Sequence, residues 1–282
     1  MVRRRNSCHS RHMAAHGDPR TWFERWWHAY VDIAPHAQGL FETLAPGGGV
    51  AAMDHVAIRT LNREGYEIAG FHGVLEDAGY TETGRYVFPR KRLLARSYRH
   101  GSGALPRIFI SELQVGDLSN EAARLLTDLI AQQVVGGLEL LFTSPRRWRP
   151  PTHAVYRRLL EVSEYAAWLS AFGIRVNHFT FGLDQLPAYP SIHALVQALQ
   201  ASGYALNGQG DHVEGTPEGG LEQASTVAEL VPRTFAGGHR AEVRSCYVEF
   251  AQRHADREGV LFDGFIPSQA AVIFDSTNMH RP

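Results

Sequence analysis

The 282-residue chain is 44% hydrophobic and 20% charged, with a formal net charge of -1. It is long enough for one large domain or two small ones with a sizeable core, and it lacks the basic excess that marks a nucleic-acid or anionic-membrane partner. The longest near-continuous apolar run, VVGGLELLF (135–143), falls far short of the roughly 20 residues a spanning helix needs. Two cysteines, Cys8 and Cys246, make no disulfide framework and suit a reducing compartment, so a cytoplasmic location is expected.

The N-terminus, MVRRRNSCHSRHMAAHG, starts basic but has no apolar stretch behind it. It reads as a disordered extension over 1–17 rather than a signal peptide. Residues 18–282 read as a single catalytic domain. DPRTWFERWWHAYVDIAP (18–35) predicts an aromatic-rich amphipathic helix with Asp18 as N-cap and Pro19 at the first helical position, closing at Pro35. A glycine-rich turn, PGGG (46–49), leads to the strand DHVAIRTL. GYEIAGFHGVLEDAGY (65–80) has the helical period and ends at Gly79. RYVFPRKRLLARSY and RIFISELQV then read as strands. A helix capped by Ser119 (118–134) and a longer one (151–173) follow, then the strand VNHFTFGL (176–183) and a helix over 190–208. VRSCYVEFAQR (243–253) and AAVIFDST (270–277) read as the last strands.

The two halves repeat. Each opens with a histidine-bearing strand, at His55 and His178, and continues into a helix that ends Gly-Tyr, at Gly79-Tyr80 and Gly203-Tyr204. The offsets from histidine to glycine are 24 residues (55 to 79) and 25 residues (178 to 203). Each half then reaches a strand with one carboxylate among apolar residues, FISEL with Glu112 and YVEFA with Glu249. This is a βαβββ unit used twice: module one over about 50–116, a helical linker over about 117–173 and module two over about 174–282.

Two such units can pair their curved sheets around a cavity that strand residues of both copies face. Alternation puts His55, Ala57 and Arg59 on one face of their strand, with Val56, Ile58 and Leu61 as the apolar bulk around them. A hydrogen-bonded core histidine would explain either His alone, but the symmetric pair favours a shared metal. Two histidines and one carboxylate suit Fe(II), because they fill one face of an octahedron and leave three positions open; Mn(II), Zn(II) and Co(II) accept the same ligands. On residue pattern alone the carboxylate is either Glu249 or Glu112. Arg59 lies about 13 Å from His55 along the strand at roughly 3.3 Å per residue, and an arginine grips a carboxylate in bidentate fashion. A metal at one end and Arg59 at the other describe a pocket for a small dicarboxylic 2-oxo acid. A structural ion pair of Arg59 with Glu112 or Asp54 is the competing explanation. Arg253 is a second candidate for the anion role. Gln223, Ser225 and Thr226 of QASTVAELV are candidates for hydrogen bonds to substrate, and a polar loop that simply enters a strand is the competing and simpler explanation.

Taken together, DHVAIRTL, the YAAWL–VNHFTF run, the QAST segment, YVEFAQR and the terminal FDST resemble the 2-oxoadipate dioxygenase/decarboxylase family. The chain is considerably shorter than well-known bacterial members. The resemblance implies an α+β fold of the vicinal-oxygen-chelate kind, as in hydroxymandelate synthase: two βαβββ modules forming a curved sheet around a metal site, with added helices. It also implies Fe(II) held by His55, His178 and Glu249, the choice of Glu249 over Glu112, and Arg59 as the group that holds the distal carboxylate. The implied reaction takes 2-oxoadipate and O2 to D-2-hydroxyglutarate and CO2, in lysine breakdown. An oxygen-independent glyoxalase-like isomerase or lyase on the same fold, or a non-catalytic small-acid binding protein, is the alternative.

Overall fold

A computed structural model describes residues 18–47, 52–132, 148–208 and 210–277. The basic N-terminal extension and the VVGGLELLF run lie outside the described residues. Helix α1 (Pro19–Val31) starts where Asp18 accepts a hydrogen bond from the Arg20 backbone N–H at 2.9 Å, and it buries Trp22, Phe23, Trp26, Trp27 and Tyr30. Pro35 does not only end that segment: it is the first residue of a second helix, α2 (Pro35–Leu44), a position where its missing N–H costs nothing.

Module one is β1 (Met53–Leu61), α3 (Ile68–Asp77), β2 (Tyr80–Phe88), β3 (Leu93–His100) and β4 (Arg107–Leu113). The segment RYVFPRKRLLARSY, expected as one strand, is the β2–β3 hairpin. Pro89 cannot donate to a ladder, and the chain turns through Pro89–Lys91 with Arg92 at φ 56°. Helices α4 (Asn120–Ile130), α5 (His153–Val162) and α6 (Glu164–Phe172) connect the modules. The single helix expected over 151–173 breaks at Ser163, which takes extended dihedrals and caps α6 by accepting from the Ala166 N–H at 3.2 Å.

Module two is β5 (Arg175–Gly182), α7 (Ile192–Ala201), β6 (Glu214–Thr216), β7 (Leu221–Ser225) and, after an inserted hairpin of β8 (Leu230–Thr234) and β9 (Arg240–Arg244), β10 (Tyr247–Arg253). VRSCYVEFAQR therefore spans two strands in different sheets. AAVIFDST is not a strand: it lies in α8 (Pro267–Ile273) and the 3-10 turn Phe274–Thr277. Pro267 pre-sets the helical start, and a short apolar run carries no periodicity that separates strand from helix.

The main sheet has eight strands in the order β2-β3-β4-β1-β5-β10-β7-β6. Read outward from the central antiparallel β1–β5 pair, the two modules have the same order, so the sheet has a pseudo-twofold axis between β1 and β5. The register obeys it: His55 pairs with Thr180 and Ala57 pairs with His178. Helix α8 packs against β2, β6 and β7, so it touches both edge strands and covers the mouth of the curled sheet.

Candidate metal centre

Three side chains meet at the middle of the sheet. His55 on β1, His178 on β5 and Glu249 on β10 are all buried and offer ligand atoms within 4.8 Å of one another. Glu249 Oε1 is 3.4 Å from His55 Nε2, and Oε2 is 3.1 Å from His178 Nε2. The register explains the meeting. Glu249 aligns with Thr180 on the parallel β10–β5 pair, and Thr180 is the residue across from His55. The Thr180 hydroxyl also sits 3.0 Å from His55 Nε2. One carboxylate facing two imidazole nitrogens in a dry site is costly unless it is paired or metal-bound, and the donor set has the composition and spacing that a divalent transition metal requires.

Glu112 is elsewhere. It accepts from the Ile68 N–H at 2.7 Å and from Gln114 Nε2 at 2.8 Å, which places its charge at the N-terminus of α3, where a carboxylate is favourable. Nor is it the counterpart of Glu249. With His55 matched to His178, Ala57 matches Thr180; Ala57 aligns with Phe109 and Thr180 aligns with Glu249. The true counterpart of Glu249 is Phe109.

The residues just before each histidine hold the rings. Asp54 Oδ1 lies 2.8 Å from His55 Nδ1. Burial would raise the Asp54 pKa, but the hydrogen bonds and charges of Arg253 and His55 hold it well below the usual carboxylate range. An ionised Asp54 only accepts, so Nδ1 carries a proton, and Nε2 is the nitrogen turned toward the cluster. Burial lowers the pKa of His55, but Glu249 and Asp54 together raise it. Burial, then the charges of His55 and Arg59, push His178 well below its ordinary value. Asn177 Oδ1 is 3.4 Å from His178 Nδ1, and the His178 ring stacks on Tyr247 at 4.6 Å.

Arg253, expected as an anion-binding candidate, is engaged otherwise. Its Nε and Nη2 donate to the two Asp54 oxygens at 2.7 and 2.8 Å, and Nη1 donates to the carbonyls of Phe262 and Gly264. It holds Asp54 in place rather than reaching for a ligand. The Asp-His dipeptide is the sequence signal for this link, whereas residue pattern alone offers Asp54 only as an ion-pair partner for Arg59. Gln223 donates to Glu249 Oε1 and lines the cavity over the cluster with Phe109, Phe265, Ala270, Ile273 and Phe274. Ser225 lies across from Glu249 in the ladder, and its hydroxyl meets that of Ser276 at 2.9 Å. Thr226 turns away toward the Val248 backbone and His36.

Arg59 is 1% exposed. Its Nη2 donates to Thr277 Oγ1 at 2.9 Å, and Nη1 stands 3.7 Å from Glu164. The guanidinium lies over Tyr165 and Trp168, at 4.8 and 4.9 Å from the ring centroids. Its ion-pair partner is thus Glu164, not Glu112 or Asp54.

A paired βαβββ sheet with a buried His-His-Glu set on its inner face defines the vicinal-oxygen-chelate class of metalloprotein folds. A 2-oxoadipate dioxygenase/decarboxylase family profile matches residues 36–135 and 126–259, and the chain belongs to that family. It is 32% identical over 250 residues to the chloroplastic 2-oxoadipate dioxygenase/decarboxylase of Arabidopsis thaliana, covering 79% of this chain and 67% of the relative. It is 30% identical over 275 residues to the chloroplastic/amyloplastic enzyme of Oryza sativa subsp. japonica, covering 88% of this chain and 76% of the relative. The crystal structure of the hydroxyglutarate synthase in complex with 2-oxoadipate from Oryza sativa superposes with a TM-score of 0.81 at 29% identity, covering 92% of each chain.

Proposed function

We propose that this protein is an Fe(II)-dependent dioxygenase/decarboxylase that converts 2-oxoadipate and O2 to D-2-hydroxyglutarate and CO2, in lysine breakdown. The observation that carries the reading is the buried His55–His178–Glu249 cluster, four residues along β1 from a buried Arg59, in a chain of this family. The balance is simple: the 1-carboxylate leaves as CO2 with its own two oxygens, and both atoms of O2 enter the hydroxy acid, one in the new carboxylate and one in the hydroxyl.

Iron bound by His55, His178 and Glu249 supplies a chelation point for the 2-oxo acid and the activation of dioxygen. The chain does the rest. Asp54, locked by Arg253, fixes the His55 tautomer and ring plane. Gln223 holds one oxygen of Glu249. Phe109, Phe265, Ile273 and Phe274 exclude water from the cluster. Arg59 takes the distal carboxylate and so fixes which carbon of the substrate faces the reacting end. To do this it exchanges its contact with Glu164 for the ligand.

Oxygen uptake by the Fe(II)-loaded protein, with 2-hydroxyglutarate identified as product, tests the reading. Turnover of a 2-oxo acid under strict anaerobiosis, or none at all from protein shown to hold iron, would sink it.

A further inference from the structure

Across the parallel ladder from each cluster histidine stands one long polar side chain. Arg107 on β4 aligns with His55, and Tyr247 on β10 aligns with His178. The symmetry of the modules makes these two residues counterparts, but their bonding differs. Arg107 is engaged at both ends of its guanidinium: Nη1 donates to Asp54 Oδ2 at 3.1 Å and Nε to Asp263 Oδ1 at 2.7 Å. Tyr247 is fully buried, and its hydroxyl has no hydrogen-bond partner among the described residues.

Other buried phenols are matched. Tyr30 donates to the Tyr247 carbonyl, Tyr80 to the Pro106 carbonyl at 3.0 Å and Tyr165 to the Ser111 carbonyl at 2.7 Å. The Tyr98 hydroxyl also lacks a partner, but its ring lies beside His72 of α3, not at the cluster. A buried hydroxyl left unmatched carries a penalty, and Tyr247 carries it at the metal site. Two residues before Glu249 on β10, it shares the face of that carboxylate. Its ring stacks on the His178 ring at 4.6 Å and packs with Ile273, which lines the cavity over the cluster. Burial raises the pKa of the phenol, Glu249 raises it further and Arg59 lowers it, so the hydroxyl stands in the field of both Glu249 and Arg59.

A dicarboxylic 2-oxo acid that spans Arg59 and the cluster offers acceptor oxygens only at its two ends; the methylenes between them accept nothing. Arg59 has the distal end. We propose that the Tyr247 hydroxyl is a further substrate-binding group, which donates to an oxygen of the 2-oxocarboxylate end beside the His55–His178–Glu249 centre. The inference rests on the proposed function for the identity of the acid. The unmatched donor is then satisfied only in the complex, and Tyr247 sets the orientation of the reacting end as Arg59 sets that of the other.

The test is Tyr247→Phe, which keeps a ring on His178 and removes only the hydroxyl. Co(II)-loaded protein is titrated under nitrogen with 2-oxoadipate and with 2-oxopentanoate, which shares the 2-oxocarboxylate end but has no distal carboxylate, and the visible spectrum reports binding. Tyr247→Phe is expected to hold the same Co(II) per chain and to melt no lower than wild type without ligand, because an unmatched hydroxyl contributes no stability. Its affinity for both acids is expected to fall by the same factor, about tenfold. Arg59→Ala, run beside it, is expected to lose affinity chiefly for 2-oxoadipate. Unchanged affinities in Tyr247→Phe overturn the proposal. So does a loss confined to 2-oxoadipate, which would put the hydroxyl at the distal end, and so does a lower melting temperature of the ligand-free variant, which would give the hydroxyl a structural partner. Matched affinity losses without oxygen uptake on any 2-oxo acid by iron-loaded wild-type protein would refute the proposed function and leave the Tyr247 contact standing. Oxygen uptake by wild-type protein, with affinities that ignore Tyr247→Phe, would do the reverse.

Discussion

Module one and module two place the same backbone around the same axis, yet they contribute differently to the site. Each offers one histidine at the head of its first strand. Beyond that the pairs diverge: Phe109 stands where module two has Glu249, Asp54 precedes His55 where Asn177 precedes His178, and Arg59 stands where module two has Gly182. The symmetric part builds the cavity, and the asymmetric part gives it direction. One module supplies the carboxylate; the other supplies a charged support for its histidine and the buried Arg59. Under the proposed function, these differences give a symmetric sheet a metal end and an anion end.

Substitutions at matched positions separate the two contributions. The largest effect is expected at the ligands: Glu249→Ala or His178→Ala should abolish metal retention, measured as iron per chain, while Phe109→Leu at the position matching Glu249 should leave it intact. Next come the residues behind the histidines. Asp54→Asn should weaken metal affinity by about 10–100-fold and, because it leaves Arg253 buried without its carboxylate, lower stability by about 3–5 kcal/mol in denaturant unfolding. Asn177→Ala, on a 3.4 Å contact between neutral groups, should change metal affinity by less than about tenfold.

Arg59→Ala should chiefly raise KM for a dicarboxylic 2-oxo acid, by about 10–100-fold for a lost charge-assisted contact, with a smaller change for a monocarboxylic one. An unchanged KM would remove Arg59 from the substrate site. The smallest effects concern the matched glycines that end α3 and α7. Both have positive φ, 89° at Gly79 and 84° at Gly203, so alanine at either costs roughly 1–2 kcal/mol. At Gly79 a Cβ would also lie 2.9 Å from His100 Nε2, a ring tied to the Ala78 carbonyl at 3.1 Å, whereas nothing lies within 4 Å at Gly203. Gly79→Ala should therefore lower the melting temperature further than Gly203→Ala.

The repeat was legible because its markers are local: a histidine in an apolar strand and a glycine that must end a helix. The offsets of 24 and 25 residues track the β1–α3 and β5–α7 units. The glutamates misled because the repeat was matched by residue type, whereas the ladder sets equivalence by register and puts Phe109 in the matching place. Arg253 looked like a ligand hand because alternation reports which face a side chain takes, not which partner it finds across 199 residues of chain. The helical identity of α8 was hidden for a different reason. Its short apolar run is shaped by a tertiary task, covering both edges of the curled sheet, and local pattern does not record that.

The measurement that tests the central claim most directly is oxygen consumption by protein loaded with one Fe(II) per chain, with 2-oxoadipate as substrate, run beside the Glu249→Ala variant. Uptake that matches 2-hydroxyglutarate formed, and that vanishes with iron in the variant, is the expected result. Uptake that persists when Glu249 is gone, or iron-loaded wild-type protein that consumes no oxygen with 2-oxoadipate or any other 2-oxo acid, would contradict it.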